Sequence, residues 1–449
     1  MINQFKRQAS ALGAVLVLAF SLAGHAQTAE AVEIQEVKSP GGITAWLVQD
    51  ETVPIIAMDF AFHGGSSIEP ADRQGLSNFL SATLDEGAGD MDSQAFQKAL
   101  ENTATKLSFE ADRDNFMGSF QALATNRDEA FRLLKLALNE PRFDKDAVDR
   151  MRARLLASLR NDASDPQVIA TNSWLKLAMG DHPYVNDPQG TIPGLQAITP
   201  DDLRNFRNRL MNRAGLKVAV VGAIDAKTLA PLLDEVFGRL PEKADLPSIP
   251  EAKVRSSAAL EVVKFDVPQS VIVFGTQGLK RRDPDFIPAF VMNSILGGGG
   301  FGSRLVEEVR EKRGLTYSVY TSLWPLDRVG LLIGGAATRN DRAAETVEII
   351  KAEIARMAKN GPTERELEDA KTYLVGSYAL RFDSNAKIAR QLLGLQLDNL
   401  GIDYINERNG LIEAVTLEDV RRAAKRLLGS DQLLFTVVGQ PDNLTSTGG

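Results

Sequence analysis

The chain has 449 residues, with 51 basic and 59 acidic side chains and a net charge of −8, so a nucleic-acid partner is not expected. It contains no cysteine, which excludes disulfide bonds, thiolate metal sites and a lipid-anchored lipoprotein. A chain of this length is too long for one hydrophobic core and suits two or more domains.

The N-terminal segment predicts export from the cytoplasm. Lys6 and Arg7 precede an apolar run over residues 11–22, and small residues surround Ala26. This pattern is typical of a signal peptide, here residues 1–26, cleaved after Ala26. The run is shorter than the roughly 20 residues that a membrane-spanning helix needs. We therefore predict a Gram-negative periplasmic protein without stable membrane insertion; a retained anchor is the alternative.

The rest of the chain predicts strands and helices in clumps rather than in strict alternation. This arrangement favours an α+β fold with largely antiparallel sheets. In chain order, we predict strands at 45–48 and 55–62, helices at 73–86, 91–102, 127–138, 144–161 and 166–178, a helix from 199 leading to a strand at 216–222, strands at 258–265 and 269–275, helices at 283–296 and 302–313, strands at 317–323 and 330–335, helices at 340–358 and 363–382, and a helix from 416 leading to a strand at 433–439.

Two segments of the chain repeat at an offset of 217 residues without a gap. Thr199 and Thr416 each stand at the start of a predicted helix, with Asp202 and Asp419 three residues later. A Thr followed by an acid at this spacing is an acidic variant of the capping box, which satisfies the first amides of a helix. Both helices lead into strands that end in Val-Val-Gly. A match of this length indicates duplication.

A segment with three prolines and no apolar periodicity lies between the two copies. We therefore predict an N-terminal half over residues 27–239, a linker over 240–256 and a C-terminal half over 257–449. Each half is predicted to be a mostly antiparallel sheet with packed helices.

Several motifs together resemble the pitrilysin/insulinase family of zinc peptidases, which carries an inverted zinc motif, and specifically its bacterial two-chain members. The resemblance spans nearly the whole chain after the predicted signal peptide. It implies two homologous α+β halves that close as a clamshell around an unfolded peptide. The motifs are the Gly75-Leu76 helix, the His182-Pro183-Tyr184 segment ending in Gly190, the gap-free repeat, and the glycine run 297–300 followed by Arg310 and Tyr317.

The metal motif of that family is H-x-x-E-H on a helix, with a further Glu downstream. Histidines at i and i+4 lie on one helix face and can bind one zinc ion, while the Glu deprotonates the metal-bound water. Aligned on the preceding Gly-Leu pair, this chain has Asn78, Ser81 and Ala82 at the three motif positions and Ser158 at the downstream ligand. We therefore predict that the metal site is degenerate and that the chain binds no zinc.

Other side chains could in principle replace the missing ligands. After the predicted signal peptide, the histidines are His63, at a strand end, and His182, in a loop. We interpret both as capping or hydrogen-bonded loop histidines. Asp85 and Glu86 lie one turn beyond the motif, where carboxylates without imidazole would favour a hard cation over zinc. We interpret them as the end of the helix, and a cation at this place stays an open alternative.

Arg310 and Tyr317 correspond to the most specific part of the resemblance. It implies that such a pair faces the zinc site across the clamshell and stabilises the peptide carbonyl as it becomes tetrahedral. In two-chain members, one subunit keeps the zinc motif and the other keeps this pair. The local pattern leaves alternatives, because Arg310 lies at a charged helix end where ion pairs are ordinary and Tyr317 belongs to an alternating strand.

The glycine run comprises Gly297, Gly298, Gly299 and Gly300. It lacks the Lys of a P-loop, and it follows a helix rather than a strand, so neither phosphate nor dinucleotide binding is expected. By the resemblance, the run forms a flexible wall against which an extended peptide lies, since glycine permits close backbone approach. A tight turn between two helices is the alternative.

These observations predict a peptidase-family subunit that has no zinc of its own. It would be inactive alone and active only with a homologous H-x-x-E-H subunit, which would hold the zinc, in a heteromeric metalloendopeptidase acting on unfolded peptides. The alternative is a non-catalytic structural or peptide-binding clamshell protein. An autonomous peptidase is opposed by the four degenerate positions.

Overall fold

The N-terminal half of the chain is built around a six-stranded sheet. The computed structural model describes residues 33–429 and 432–447. The strands run in the order β1-β2-β6-β3-β5-β4, and β2 and β6 form the one parallel pair of this sheet. The elements of this half are β1 (Gln35–Lys38), β2 (Thr44–Gln49), β3 (Ile55–His63), α1 (Leu76–Ser81), α2 (Ser93–Asn102), β4 (Lys106–Ala111), β5 (Asn115–Leu123), α3 (Arg127–Asn139), α4 (Lys145–Asp162), α5 (Pro166–Met179), α6 (Ile192–Ala197), α7 (Pro200–Leu210), β6 (Lys217–Gly222) and α8 (Ala226–Phe237).

The C-terminal half has a five-stranded sheet in the order β7-β11-β8-β10-β9, with β7 and β11 as its parallel pair. Strand by strand, this order and these directions match β2-β6-β3-β5-β4 of the first half. The predicted α+β fold of two homologous, mostly antiparallel halves is confirmed. The elements are β7 (Ala259–Lys264), β8 (Gln269–Gln277), α9 (Phe286–Asn293), β9 (Thr316–Leu326), β10 (Val329–Arg339), α10 (Ala343–Asn360), α11 (Glu364–Gly376), α12 (Asn385–Leu397), α13 (Tyr404–Glu413), α14 (Leu417–Leu428) and β11 (Leu434–Gly439).

Both copies of the repeat begin with the predicted capping box. The Thr199 hydroxyl accepts the Asp202 N–H while the Asp202 carboxylate accepts the Thr199 N–H, and Thr416 and Asp419 make the same two bonds. The bonds from Thr416 lower the pKa of Asp419 to about 2. The two helices, α7 and α14, lead into β6 and β11, which occupy equivalent places in their sheets. The two repeated segments therefore match in three-dimensional structure as well as in sequence.

Each half contributes one helix that covers the sheet of the other half. Helix α5 packs on β8 and β11, where the Trp174 indole donates to the Leu434 carbonyl at 3.1 Å. Helix α12 packs on β3 and β6, where Gln396 donates to the Val218 carbonyl at 2.9 Å. Both side chains are buried. This exchange fixes the two sheets relative to one another through apolar burial rather than through the linker alone.

A buried polar cluster also joins the halves. The Tyr184 hydroxyl donates to the Asp114 carboxylate and accepts the Arg328 N–H at 3.1 Å. The other Asp114 oxygen accepts the Asp327 N–H at 3.1 Å. Burial raises the pKa of Tyr184, so the phenol stays a neutral donor. The β4–β5 turn is thereby tied to the β9–β10 turn.

Residues 241–258 carry neither helix nor strand. They are held against the C-terminal half: the Ala252 N–H donates to the Arg328 carbonyl at 3.0 Å, and Ile249 and Val254 pack against the cluster around Trp174.

None of the helices in the described part of the chain combines the length and the apolar character needed to span a bilayer.

The structure adds β1, α6, α8, α12 and α13, which were not predicted, and it differs further from the predicted elements as follows. Strands β4 and β5 form a hairpin that was not predicted, although alternating burial of Phe116, Phe120 and Ala122 along β5 is a strand signal. Helix α1 ends at Ser81 and continues as turns, so it is shorter than the predicted 73–86. The predicted helices at 283–296 and 302–313 are interrupted, because residues 294–298 and 306–311 form π-helical turns.

Candidate functional site

The carboxylate of Glu69 accepts hydrogen bonds from the first amides of helix α1. The two Glu69 oxygens accept the Gly75 N–H at 2.7 Å and the Ser77 N–H at 2.6 Å. Burial raises the pKa of Glu69 to about 7, against the opposing effect of these N–H donors. A carboxylate in this position satisfies amides that the helix itself leaves unpaired. Sequence reasoning missed Glu69, although an acid shortly before a helix start is a recognisable signal.

The four degenerate metal-motif positions do come together in space. The Asn78 amide donates to the Gln189 carbonyl at 3.4 Å, and the Ser158 hydroxyl donates to the Gln189 side-chain oxygen at 3.5 Å. The Ser81 hydroxyl donates to the Asn78 carbonyl at 2.8 Å, and Ala82 packs against the core. Gln189, which sequence reasoning also missed, therefore bridges α1 and α4.

These residues do not fit a zinc ion. Ala82 offers no donor atom, and a neutral amide and two serine hydroxyls are poor zinc ligands compared with imidazole, thiolate or carboxylate. Their polar atoms are already engaged with protein partners. Across residues 33–429 and 432–447, no group of three or more His, Cys, Asp or Glu side chains is placed to hold a metal ion.

Asp85 and Glu86 are used by the protein itself. A Glu86 oxygen accepts from Arg150 and from the Ser93 hydroxyl, both at 2.5 Å. Asp85 accepts from the Gln97 amide at 3.3 Å, and burial raises the pKa of its carboxyl group. Both side chains connect the end of α1 to neighbouring helices, which agrees with a structural role.

The two histidines have structural partners. His182 Nδ1 accepts the Tyr184 N–H at 3.1 Å and Nε2 lies 3.0 Å from the Pro250 carbonyl, so a neutral ring donating from Nε2 satisfies both contacts. The interpretation of His182 as a capping histidine is confirmed. His63 Nδ1 lies 3.5 Å from Asp327, which makes it a contact between the halves.

The glycine run forms a compact turn after α9. A Cβ at Gly297 would lie 2.6 Å from Thr321 Oγ1 and 2.7 Å from Thr321 N, so this position requires glycine for packing against β9. Gly300 has φ of +63° and open space around it. The packing of a tight turn therefore explains Gly297, and the positive φ explains Gly300. The flanking π-helical turns are a type of distortion that is frequent at functional sites.

A buried arginine anchors the end of this turn. Arg304 makes two bonds to the Glu366 carboxylate, at 2.5 and 2.7 Å, and donates to the Gly361 carbonyl at 3.0 Å. Burial by itself would raise the pKa of Glu366, but the bonds from Arg304 and Thr363 outweigh it and lower the pKa to about 2. The turn is therefore fixed to the start of α11.

Arg310 lies between two exposed aromatic rings. Its guanidinium carbon is 4.8 Å from the centre of the Phe301 ring and 5.1 Å from the centre of the Tyr317 ring. Phe301 is 77% exposed and Tyr317 is 86% exposed. Exposed stacking of this kind contributes about 0.5–1 kcal/mol per ring. The structure therefore places the two predicted residues in contact, with Phe301 as a third member that sequence reasoning missed.

The ion pairs of this charged segment are made by other residues. Lys312 and Arg313 each contact the Glu308 carboxylate at 2.7 Å. Arg310 Nε is 3.5 Å from Glu311, its neighbour in sequence. The guanidinium of Arg310 is therefore positioned by the aromatic rings rather than by a helix-face ion pair.

A cavity of about 420 Å³ lies beside the aromatic stack. Residues 299–302 form one wall, and Asp369 and Tyr373 of α11 form the opposite wall. Glycine backbone, an exposed aromatic ring and a phenol therefore border a surface groove next to Arg310. Such a groove can accommodate the backbone and one side chain of an extended peptide.

Two family models match consecutive parts of the chain. The insulinase (peptidase family M16) model matches residues 45–187, and the model described as the peptidase M16 inactive domain matches residues 197–374. The chain belongs to peptidase family M16. The first model lies within the N-terminal half, and the second begins in that half just before α7 and extends to α11 of the C-terminal half.

Individual M16 relatives match over most of the chain. A "non-peptidase homolog YmxG" of Helicobacter pylori is 26% identical over 399 residues, covering 87% of this chain and 90% of that protein. The crystal structure of a peptidase M16 inactive domain from Pseudomonas fluorescens has a TM-score of 0.86 and 28% identity, covering 92% and 99%. The periplasmic protease PqqL of Escherichia coli shares the fold, with a TM-score of 0.78 and 15% identity, covering 92% of this chain and 46% of PqqL.

Proposed function

We propose that this M16 chain is a periplasmic subunit without its own zinc site that pairs with a zinc-bearing homologue. It would supply Arg310 and Tyr317 for the hydrolysis of unfolded peptides. One observation carries the proposal. The exposed stack of Phe301, Arg310 and Tyr317 is intact, whereas the motif positions on α1 carry no metal ligands.

The stack suits the stabilisation of negative charge on a peptide carbonyl. Two rings hold the Arg310 guanidinium in one direction, and its nearest carboxylate is the loose contact with Glu311 at 3.5 Å. Among the described residues, the Arg310 Nη groups and the Tyr317 phenol make no hydrogen bond, so they can donate to an oxygen that becomes charged in the transition state. Donors fixed in advance are effective because they need no reorganisation during the reaction.

Zinc in the partner subunit would supply the activated water. The residues of this chain would bind and orient the peptide and stabilise the developing oxyanion. In this arrangement Gly299 and Gly300 place the backbone close to the peptide along the 420 Å³ groove, while Gly297 and Gly298 precede them in the turn and do not line it. The open space around Gly300 supports a contact there.

The predicted signal peptide supports a periplasmic location, and so does the structural similarity to PqqL, a periplasmic protease. The predicted signal peptide itself lies outside the described residues. We also propose the boundaries 27–239, 240–256 and 257–449 for the first half, linker and second half. The linker boundary is supported by the irregular course of residues 241–258.

The test is reconstitution with an H-x-x-E-H homologue from the same genome. The chain alone is expected to hold no stoichiometric zinc and to hydrolyse no peptide, and activity should emerge on mixing. Arg310→Ala and Tyr317→Phe should each lower kcat of the pair by a factor on the order of 10²–10³. Size-exclusion chromatography should show unchanged assembly. Arg132→Ala, which removes an exposed guanidinium on α3 that does not line the groove, is the matched control.

Unchanged turnover in Arg310→Ala and Tyr317→Phe would refute the role of the pair. Zinc and activity in the isolated chain would refute the proposal as a whole. A chain that binds unfolded peptides but activates no partner would favour the second candidate, a peptide-binding clamshell protein, for which the non-peptidase name of the Helicobacter pylori relative is the supporting observation.

A further inference from the structure

A second cavity, of about 300 Å³, lies between α9, α12 and α13. The end of β9 and residues 378–381 complete its walls, and neither Arg310 nor Tyr317 lines it. Part of its wall is apolar, formed by Phe286, Phe290 and Leu323. No step of the proposed function uses this cavity.

The cavity carries an excess of positive charge. Four arginines and a single carboxylate line it: Arg281, Arg381, Arg390, Arg408 and Asp398. Asp398 forms an ion pair with Arg281, whose Nε lies 3.2 Å from the Asp398 carboxylate. Arg281 also donates to the Tyr404 hydroxyl at 2.7 Å. Of the remaining three, Arg390 lies 3.8 Å from the Asp59 carboxylate and 3.7 Å from that of Glu110, whereas Arg381 and Arg408 have no ion-pair partner among the described residues.

Arg408 is the most informative of these groups, because it is only 7% exposed. Its Nη1 donates to the Leu374 carbonyl at 3.1 Å and to Asn409 at 2.9 Å, and Tyr378 stacks on the guanidinium at 4.1 Å. Within the described residues, its Nε and Nη2 have no hydrogen-bond partner and no carboxylate lies within ion-pair distance. Burial lowers the pKa of Arg408.

The neighbours of Arg408 do not neutralise it. The titratable groups that act on its charge are the phenols of Tyr378 and Tyr404 and the guanidinium groups of Arg281 and Arg381. A buried charge without a counter-ion is unfavourable unless something compensates it. The free Nε–Nη2 edge is the two-donor fork that binds a carboxylate in bidentate fashion.

We propose that this cavity binds a carboxylate attached to an apolar or aromatic group. The guanidinium groups of Arg408 and Arg381 recognise the charge, and the wall formed by Phe286, Phe290 and Leu323 buries the hydrocarbon. Two sources carry this chemistry, the C-terminal residue of a peptide and a free carboxylic acid. The inference does not depend on the proposed function, since binding is a property of this chain alone.

Helix α12 offers a way to close the cavity without disturbing the fold. Gly394 lines the cavity, and a Cβ there would meet no atom within 4 Å. Gly394→Leu should therefore fill the cavity, and it replaces glycine by a better helix former. Gly410 in α13 has the same open surroundings but does not line the cavity, so Gly410→Leu is the matched control.

The experiment is isothermal titration calorimetry on the full mature chain. The probes are 3-phenylpropionate and N-acetyl-leucyl-phenylalanine, each compared with its uncharged amide, and inorganic phosphate. We expect an acid to bind at least about tenfold more tightly than its amide and than phosphate. Gly394→Leu and Arg381→Gln should each weaken binding by about tenfold, and Gly410→Leu should leave it within about twofold.

Tighter binding of the peptide acid would assign the site to peptide C-termini, and tighter binding of 3-phenylpropionate would assign it to free acids; both results support the proposal. Three results would overturn it. These are no binding of either acid, equal binding of acids and amides, or full binding by Gly394→Leu. Phosphate that binds as tightly as the acids would refute the apolar part of the recognition.

Discussion

Helix α1 and the glycine-rich turn occupy corresponding places in the duplicated fold. Helix α1 follows β3, α9 and the turn follow β8, and these two strands hold equivalent sheet positions. In the first region the polar groups are satisfied internally through Gln189. In the second, Arg310 is held between rings that face the solvent. The scaffold is the same in both halves, while the segment after one central strand is a closed structural junction and its counterpart exposes two aromatic rings to solvent.

The two regions also differ in how a carboxylate organises them. Glu69 is buried against helix amides without a cationic partner, so its pKa is raised to about 7. Glu366 is half-buried, and two bonds from Arg304 lower its pKa to about 2. A charged partner, rather than burial alone, decides the direction of the shift.

The largest effect that separates the two regions should come from paired truncations. Phe79 on α1 is fully buried, whereas Phe301 is 77% exposed. Phe79→Ala should lower the free energy of unfolding by about 3–5 kcal/mol because it leaves a cavity. Phe301→Ala removes one exposed ring from Arg310 and should lower it by about 1 kcal/mol or less. Denaturant unfolding measures both, and equal effects would contradict the contrast.

A smaller effect should come from pH, with opposite signs for the two carboxylates. Glu69 binds a proton more tightly in the folded state, so its contribution to the free energy of unfolding is present below pH 4.5 and is lost as pH rises to about 7. Glu366 binds a proton less tightly in the folded state, so its contribution is present above pH 4.5 and is lost as pH falls to about 2. Each effect is at most on the order of 3 kcal/mol, because both residues keep some contact with water. The measurement is the midpoint of denaturant unfolding, followed from pH 2.5 to 7.5. Glu69→Gln should reduce the pH dependence of the midpoint above pH 4.5, and Glu366→Gln should reduce it below pH 4.5. Unaltered profiles would refute these assignments.

The smallest effect should come from restoring a single metal ligand. Ala82→His adds one imidazole to a site whose other positions are Asn78, Ser81 and Ser158. One strong ligand does not hold zinc stably, since catalytic sites use three protein ligands. Metal analysis should therefore find no stoichiometric zinc. Stoichiometric zinc in this variant would show that the alignment of α1 with the metal motif is wrong.

The sequence predicted most helices and strands because their signals are local. Signals carried by neighbouring residues predicted both capping boxes, the proline-rich linker segment and the strands at 55–62 and 269–275. The β4–β5 hairpin escaped prediction because its partly exposed β4 has a weak apolar pattern, although β5 alternates clearly. The shortened α1 and the π-helical turns depend on packing around them. Gln189 has no local signal, since its role exists only when α1 and α4 are adjacent.

The sequence by itself determined the family resemblance, the duplicated α+β halves and the loss of the metal motif. Residue type and spacing are sufficient for these conclusions, because capping, periodicity and ligand chemistry are local properties. Only the tertiary structure decided that α5 and α12 are exchanged between the sheets, that Phe301 completes the stack on Arg310, and that Arg408 is buried without a carboxylate partner. These features depend on contacts between residues far apart in the chain, where the packing of many side chains sets distance and direction.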